Sequence, residues 1–286
     1  MTYRIIVLAK QVPDTRNVGK DAMKADGTVN RAALSAIFNP EDLCALEQAL
    51  RIKDQFAEST ITLLTMGPGR AADVLREGLY RGADKGILLT DRAFAGADTL
   101  ATSYALAQAI KKIGEFDLII GGRQAIDGDT AQVGPQVAEK LGIPQLTYTE
   151  SIETIGEHSI TVRRQIDGGV EIAKVEFPAL LTVTAAQQCR PRNAQFFMKY
   201  KRALTPSESA QQGKEPYAPE SPLHLIEWSV SDVDADIVQC GLSGSPTKVK
   251  KVENIIFQAK DNRRIEDNDQ EIEELIVELL NNHTIG

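Results

Sequence analysis

One run carries the types and spacing that bind an anion: Gly121-Gly122-Arg123-Gln124-Ala125-Ile126-Asp127-Gly128-Asp129-Thr130-Ala131-Gln132-Val133-Gly134-Pro135. It lies between an apolar strand and a helix running toward Leu141. A glycine-rich turn feeding a helix presents unpaired backbone N–H groups and the positive end of the helix dipole, which suits a phosphate. Asp129 and Thr130 are the expected N-caps, and Gly122 and Gly128 would let the backbone approach a ligand closely or take a positive φ. Asp127 and Asp129 would repel phosphate if they faced it, so they should cap the helix or accept from ribose hydroxyls. The run fits neither GxGxxG nor GxxxxGK[ST], and an ordinary well-capped strand-to-helix loop would read the same way. A second glycine turn, Met66-Gly67-Pro68-Gly69-Arg70, and a helix start at Asn39-Pro40 belong to the same edge if the sheet is doubly wound.

The elements that must position these turns are visible upstream. Apolar runs at Arg4–Ala9, Thr60–Met66, Gly86–Thr90 and Asp117–Gly121 alternate with segments of three- and four-residue apolar spacing, such as Leu43, Leu46, Ala49, Leu50 and then Leu100, Tyr104, Ala107, Ile110. That alternation predicts repeated strand–helix units on a parallel sheet. Asn39 as N-cap, Pro40 at the first helical position and Glu41 and Asp42 in the first turn predict the first helix. Residues 14–38 carry turn signals and little periodicity, which predicts a long loop or short hairpin. After Thr149 the period becomes two: Ile160, Val162 and Arg164, the turn Asp167-Gly168-Gly169, then Val170 and Ile172 predict a hairpin, followed by a buried strand over Ala179–Thr184. From Ala203 to Pro222 the composition shifts to Pro, Ser, Glu, Gln and Gly, predicting a linker. A terminal helix led by Asp269 places Ile272, Leu275, Ile276 and Leu279 on one face. The boundaries expected are therefore an α/β domain over 1–205 and a linker and arm over 206–286.

Composition excludes several classes. Over 286 residues the net charge is −8, which argues against gripping nucleic acid through phosphates. No apolar run approaches the roughly 20 residues of a membrane span, and Met1 leads directly into a strand, so a cytoplasmic protein without membrane insertion is expected. Cys44, Cys189 and Cys240 lack CxxC spacing and read as reduced thiols, with Cys44 packing on the first helix's apolar side. His158, His224 and His283 are scattered, suggesting neither a metal site nor a hydrolase triad.

The order Asn39-Pro40, Met66-Gly67-Pro68, Arg81-Gly82-Ala83-Asp84-Lys85-Gly86, Gly122-Arg123-Gln124-Ala125-Ile126-Asp127-Gly128-Asp129 and Pro191-Arg192-Asn193-Ala194 resembles the small (beta) subunit of electron-transferring flavoproteins over nearly all of residues 1–205. The resemblance implies a parallel-sheet α/β domain of adenine-nucleotide α-hydrolase-like (Rossmann-like) type, with a β-hairpin and a C-terminal arm, paired with a larger alpha subunit that holds its own FAD. It also implies a nucleotide held by Leu8 and Ala9, by Asn39, Pro40, Glu41 and Asp42, by Met66, and by the loop and helix from Gly122 to Gly134. Arg123 would neutralise a phosphate or a reduced flavin.

Within that family, members that only shuttle electrons hold AMP at this site and typically carry three acids in succession in the loop. Here the middle position is Gly128, similar to the electron-bifurcating branch, whose site holds a complete FAD. Replacing an acid by glycine removes bulk and charge beside the phosphates, and a diphosphate is more anionic than AMP. The likeness implies NADH as donor, ferredoxin or flavodoxin as one acceptor, and an acyl-CoA dehydrogenase-type flavoenzyme as the other, reached through the alpha-subunit FAD. No general acid or base is assigned. AMP as a structural ligand, and a non-redox nucleotide-binding module, remain the alternatives.

Residues 188–202 follow the buried strand and place Phe196, Phe197 and Met198 among Arg190, Arg192, Lys199, Lys201 and Arg202, an apolar anchor with a charged rim. In the family the corresponding loop recognises the partner dehydrogenase, which assigns partner contact to Arg192, Phe196, Phe197 and Met198, with Phe196 inserting; the other reading packs both phenylalanines internally. The linker and final helix would clasp the alpha subunit.

Overall fold

A computed structural model of the chain describes residues 1–14, 35–185, 188–247 and 264–281. The strands are β1 (Arg4–Leu8), β2 (Gln11–Pro13), β3 (Ala36–Phe38), β4 (Thr60–Met66), β5 (Lys85–Leu89), β6 (Leu118–Gly122), β7 (Gln145–Ile155), β8 (Ser159–Ile166), β9 (Gly169–Glu176), β10 (Ala179–Val183) and β11 (Ile226–Trp228). The helices are α1 (Pro40–Gln55), α2 (Ala72–Leu79), α3 (Thr99–Ile113), α4 (Val133–Leu141), α5 (Ala194–Tyr200), α6 (Pro206–Gln211) and α7 (Asp269–Asn281). Residues 1–250 form one compact unit and residues 251–286 another.

Among the described residues, nine strands make a single sheet in the order β11-β5-β4-β1-β6-β10-β7-β8-β9, parallel except at β7-β8 and β8-β9. Alternation along β1 divides the core: Ile5 and Val7 pack with residues of α1 and α2 on one face, and Ile6 and Leu8 with residues of α3 and α4 on the other. The doubly wound α/β fold expected from the alternating runs is therefore present. From β1 the chain moves outward through β4 to β5, then returns across the sheet to β6 on the other side of β1. The strand order reverses between β1 and β6, and in open α/β sheets the crevice beyond the carboxyl ends of such strands is where ligands bind.

The residue 14–38 stretch opens and closes as a two-stranded ribbon, with Gln11 opposite Phe38 and Pro13 opposite Ala36; the rest of that segment lies outside the described residues. The predicted hairpin is β8–β9, turning at Gly168, whose φ of 81° is left-handed.

The stretch over 203–222, expected as a linker with the domain ending at 205, holds the short helix α6, and the first compact unit runs on to residue 250. Thr205 opens α6 with a complete capping box, its hydroxyl accepting from the Glu208 N–H and the Glu208 carboxylate accepting from the Thr205 N–H. Glu208 also takes two hydrogen bonds from the Arg76 guanidinium, at 2.9 and 2.8 Å. Leu225 is fully buried, and β11 adds to the sheet beside β5. Polar composition hid this segment because its attachment rests on the Arg76–Glu208 pair, a few backbone hydrogen bonds at Leu204 and a few buried residues, none of which leaves a periodic pattern.

In the second unit α7 begins at Asp269, as the sequence indicates, and leaves Ile272, Ile276, Val277 and Leu280 exposed. No helix among the described residues is long and apolar enough to cross a membrane.

Candidate functional site at the carboxyl edge of the sheet

The first turn of α1 and the loop leaving β6 are built as one object. Asn39 is fully buried and does not cap α1 with its side chain. Its amide instead crosses to the loop, Nδ2 donating to the Gln124 carbonyl (2.8 Å) and Oδ1 accepting from the Ile126 N–H (3.2 Å). Asp42 bridges strand ends: Oδ1 accepts from the Gly122 N–H (2.9 Å) and Oδ2 from the Lys10 N–H (2.8 Å). Glu41 takes the Gln124 N–H (2.8 Å) and the Arg123 guanidinium (3.0 Å). Burial pushes the Asp42 carboxyl up to about 7, against the opposing pull of the Gly122, Asn39 and Lys10 donors.

Gly122 is required here by close approach and does not take a positive φ. A Cβ there would lie 2.4 Å from Asp42 Oδ1 and 2.8 Å from the Glu41 carbonyl carbon. Of the two roles expected for Gly128, close approach to a ligand or a positive φ, the second is not taken; φ is positive instead at Asp129 (47°) and Ala131 (52°), a costly conformation for side-chain-bearing residues that recurs at functional sites. The Ala125 carbonyl accepts from both Gly128 and Asp129 N–H, which closes the turn. Gly128 itself faces open space, with nothing within 4 Å of a built Cβ.

The predicted capping by Asp129 and Thr130 is not found, because α4 starts later, at Val133, with Gln132 as an N-cap that makes no side-chain cap bond. The acids of the loop are occupied elsewhere: Asp127 pairs with Lys10 Nζ (2.7 Å) and Asp129 accepts from Gln124 Nε2 (2.9 Å). Gln132 accepts from Thr99 Oγ1, and Thr130 is exposed. Gly134 is buried where a Cβ would meet Thr182 Cγ2 at 2.6 Å, which lets α4 sit close on β10.

Leu8 and Ala9 are buried at the end of β1, the Ala9 N–H being used by the Leu64 carbonyl. Met66 is half-buried at the end of β4 and leads into a 3-10 turn at Gly69–Ala71 that also lacks a side-chain cap. The predicted nucleotide-site residues thus lie at α1's start, at the β1, β4 and β6 ends, in the loop from β6 to α4, or in the first turn of α4.

The arrangement fits an anionic nucleotide. The helical turns after Asn39, Pro68 and Gln132 have no side-chain cap, whereas Asp98, Asn193 and Thr205 cap α3, α5 and α6. Uncapped first turns offer N–H donors and positive potential. The Arg123 Nε–H is buried without a hydrogen-bond partner among the described residues, and the guanidinium lies 5.4 Å over the Tyr148 ring. Lys10 and Tyr148 were missed from sequence. Lys10 directly follows the first strand, a position that itself points to this edge; Tyr148, at φ 57° beside the register shift between β10 and β7, carries no local signal.

Residues 188–202 do not form an open loop. Asn193 caps α5 with two accepted N–H bonds, and Arg190 ties the segment to α1 through Glu47 (2.9 Å) and Asp54 (2.7 Å). Phe196 is partly buried against the core, close to Gly82 and Tyr200, which corrects its expected exposure. The exposed apolar pair is Phe197 (38%) and Met198 (61%). Phe197 stacks edge-on against Tyr80, and Arg192 pairs with Glu77 at 2.7 Å.

Residues 26–209 match the electron transfer flavoprotein domain model. The chain is 44% identical to the electron transfer flavoprotein subunit beta of Megasphaera elsdenii, covering 96% of this chain and 97% of the relative. It is 40% identical to the acryloyl-CoA reductase electron transfer subunit gamma of Anaerotignum propionicum, over 99% and 100%. It is 43% identical to the caffeyl-CoA reductase-Etf complex subunit CarD of Acetobacterium woodii, over 86% of each chain. With a match to the family model over residues 26–209 and likeness to beta subunits over nearly the whole length, the chain belongs to the beta-subunit family of electron transfer flavoproteins.

Proposed function

We propose that the chain is the beta subunit of an electron-bifurcating flavoprotein, holding an FAD in the crevice between the β1 and β6 ends and pairing with an alpha subunit that carries a second FAD. Bound there, the flavin would supply hydride acceptance from NADH and one-electron transfer, toward ferredoxin or flavodoxin and, through the alpha-subunit FAD, toward an acyl-CoA dehydrogenase-type partner. The observation that carries the reading is the open space at Gly128, with the loop acids engaged by the chain's own donors. A diphosphate approaching α4 then meets N–H groups and Arg123 with no side-chain carboxylate at that position. Names of relatives in acryloyl-CoA and caffeyl-CoA reductase systems support a dehydrogenase-type partner.

The chain's own contribution is placement. Asn39, Glu41 and Asp42 fix the loop from below through backbone donors at Gly122, Gln124 and Ile126. Arg123, restrained by Glu41 and Tyr148, holds a positive charge beside the site. Phe197, Met198 and Arg192 provide the surface on which the partner docks, and the arm expected within 206–286, with α7 and its exposed apolar residues, contacts the alpha subunit.

The experiment is cofactor quantification on the heterodimer co-expressed with its alpha subunit. Two FAD per heterodimer is the expected result. One FAD with one AMP would assign the shuttle type, and a colourless complex would assign a non-redox nucleotide module. NADH-dependent ferredoxin reduction that requires the second acceptor then tests bifurcation itself.

A further inference from the structure

We propose that Cys44 and Cys189 form a reversible disulfide that pins the segment carrying Arg192, Phe197 and Met198 to α1. None of the three cysteines is disulfide-bonded in the structure, yet the Cys44 and Cys189 sulfurs are 3.4 Å apart. The two residues are far apart in sequence and meet only because 188–190 lies along α1. A disulfide requires about 2.05 Å between sulfurs, an approach of about 1.4 Å from the present contact. The neighbouring backbone is already in place: the Arg190 N–H donates to Glu47 Oε2 at 3.0 Å, one helical turn beyond Cys44.

Access and selectivity also favour this pair. Cys44 is buried at 5% exposure, Cys189 is partly exposed, and Cys240 is buried in the core cluster on the opposite face of the sheet. The hydrogen shared with Cys44 and burial push the Cys189 thiol up, with Glu47 adding to this and Arg81 opposing it, so the pair rests protonated, the attacking thiolate is a minor species, and the bond forms only under an excess of oxidant.

With a peroxide as oxidant the chemistry balances. The Cys189 sulfur attacks a peroxide oxygen, its S–O bond forming as the O–O bond breaks, and the departing hydroxide leaves as water with the thiol proton. The Cys44 sulfur then attacks Cys189; the S–S bond forms, the S–O bond breaks, and a second water carries off the Cys44 proton. Two thiols are oxidised and one peroxide is reduced to two waters.

A bond at this point shortens the tether between α1 and α5 to a single crosslink, immediately before the helix that carries Phe197 and Met198. That this restrains partner docking rests on the function proposed above; formation of the bond does not.

The test uses the full chain co-purified with its alpha subunit, treated with hydrogen peroxide, alkylated with iodoacetamide and digested without reductant. The expected result is one peptide joining Cys44 to Cys189, loss of two alkylatable thiols, recovery with dithiothreitol, and severalfold slower amide exchange over 190–200. Cys44→Ser and Cys189→Ser should each abolish the crosslink, and Cys240→Ser should leave it intact. Sulfinic acid at Cys189 with Cys44 still alkylated, or a crosslink to Cys240, would overturn the site. A crosslink with unchanged exchange over 190–200 would overturn the pinning. FAD content is read on the same sample, so loss of the flavin reading and loss of this proposal are separate results.

Discussion

The Asp42 carboxylate accepts the Gly122 N–H at 2.9 Å while its other oxygen takes the Lys10 N–H. One side chain on the first turn of α1 therefore spans the ends of β1 and β6, the two strands between which the sheet reverses its order. The contact exists because residue 122 has no side chain. Gly122→Ala would place a methyl carbon 2.4 Å from Asp42 Oδ1 and 2.7 Å from the Asp42 nitrogen, and helix backbone cannot yield as a flexible side chain can. A loss of about 2–3 kcal/mol is expected in urea unfolding, together with reduced nucleotide content after purification. Unchanged stability would mean that the loop does not rest on α1.

The same carboxylate sets a pH dependence. Burial raises Asp42 in the folded state to about 7 from an ordinary value near 3.8. Between those values the folded chain holds a proton that the unfolded chain has released, so stability falls as pH rises from about 4 to about 7 and levels off above. Asp42→Asn removes the titration, and its amide places an N–H₂ against one of the two donors. The variant should be less stable throughout, and its stability should lack this slope across that window; a slope equal to that of the parent chain would assign the dependence to another group.

Arg190 is expected to matter through Glu47, whose side chain is 7% exposed. Burial pushes the Glu47 carboxyl up, but hydrogen bonds from Arg190 outweigh it and hold the group below its usual value. Its contribution is present above the ordinary glutamate range and is lost as pH falls through the lowered folded value. Arg190→Ala leaves this buried carboxylate only Arg51, at 3.2 Å, as a charged partner among the described residues and should cost about 2 kcal/mol at neutral pH. The deficit should shrink on acidification, measured by thermal unfolding at several pH values, and a deficit independent of pH would point to lost packing alone.

Phe196 and Met198 separate packing from docking. Phe196 touches the core, so Phe196→Ala should lower stability by about 1–3 kcal/mol. Met198 is 61% exposed, so Met198→Ala should leave unfolding and flavin content unchanged and lower kcat/KM for partner reduction about tenfold, in keeping with an interface anchor. An unaffected kcat/KM would move the docking surface elsewhere.

How far the sequence carried these assignments depended on whether the deciding force was local. The strands at Arg4, Thr60, Lys85 and Leu118 and the start of α1 at Pro40 follow from apolar runs and helix-start chemistry, and the structure places them within one or two residues of expectation. The role of Asn39 was legible only as a helix cap; its amide instead serves Gln124 and Ile126, residues more than eighty positions away. Asp129 and Thr130 likewise read as caps, but the left-handed turns at Asp129 and Ala131 delay α4 to Val133. β11 has only three residues and no alternation to detect; it pairs because Leu225 is buried beside it and the β5 edge is open.

Gly128→Asp isolates charge from shape in the choice of nucleotide. A Cβ at residue 128 meets nothing within 4 Å, and the backbone there is not left-handed, so an aspartate fits without strain. It would restore a third consecutive acid between Asp127 and Asp129, about where a second phosphate must lie if the site holds FAD. Repulsion between a carboxylate and a diphosphate in a partly desolvated site is worth on the order of 1–2 kcal/mol, which corresponds to roughly tenfold weaker flavin retention at this site. The heterodimer should then purify with one FAD and gain AMP, while Gly128→Asn, which matches the size without the charge, should keep two. Flavin lost equally from both variants would make the determinant bulk, and flavin retained in both would mean that residue 128 does not select the ligand.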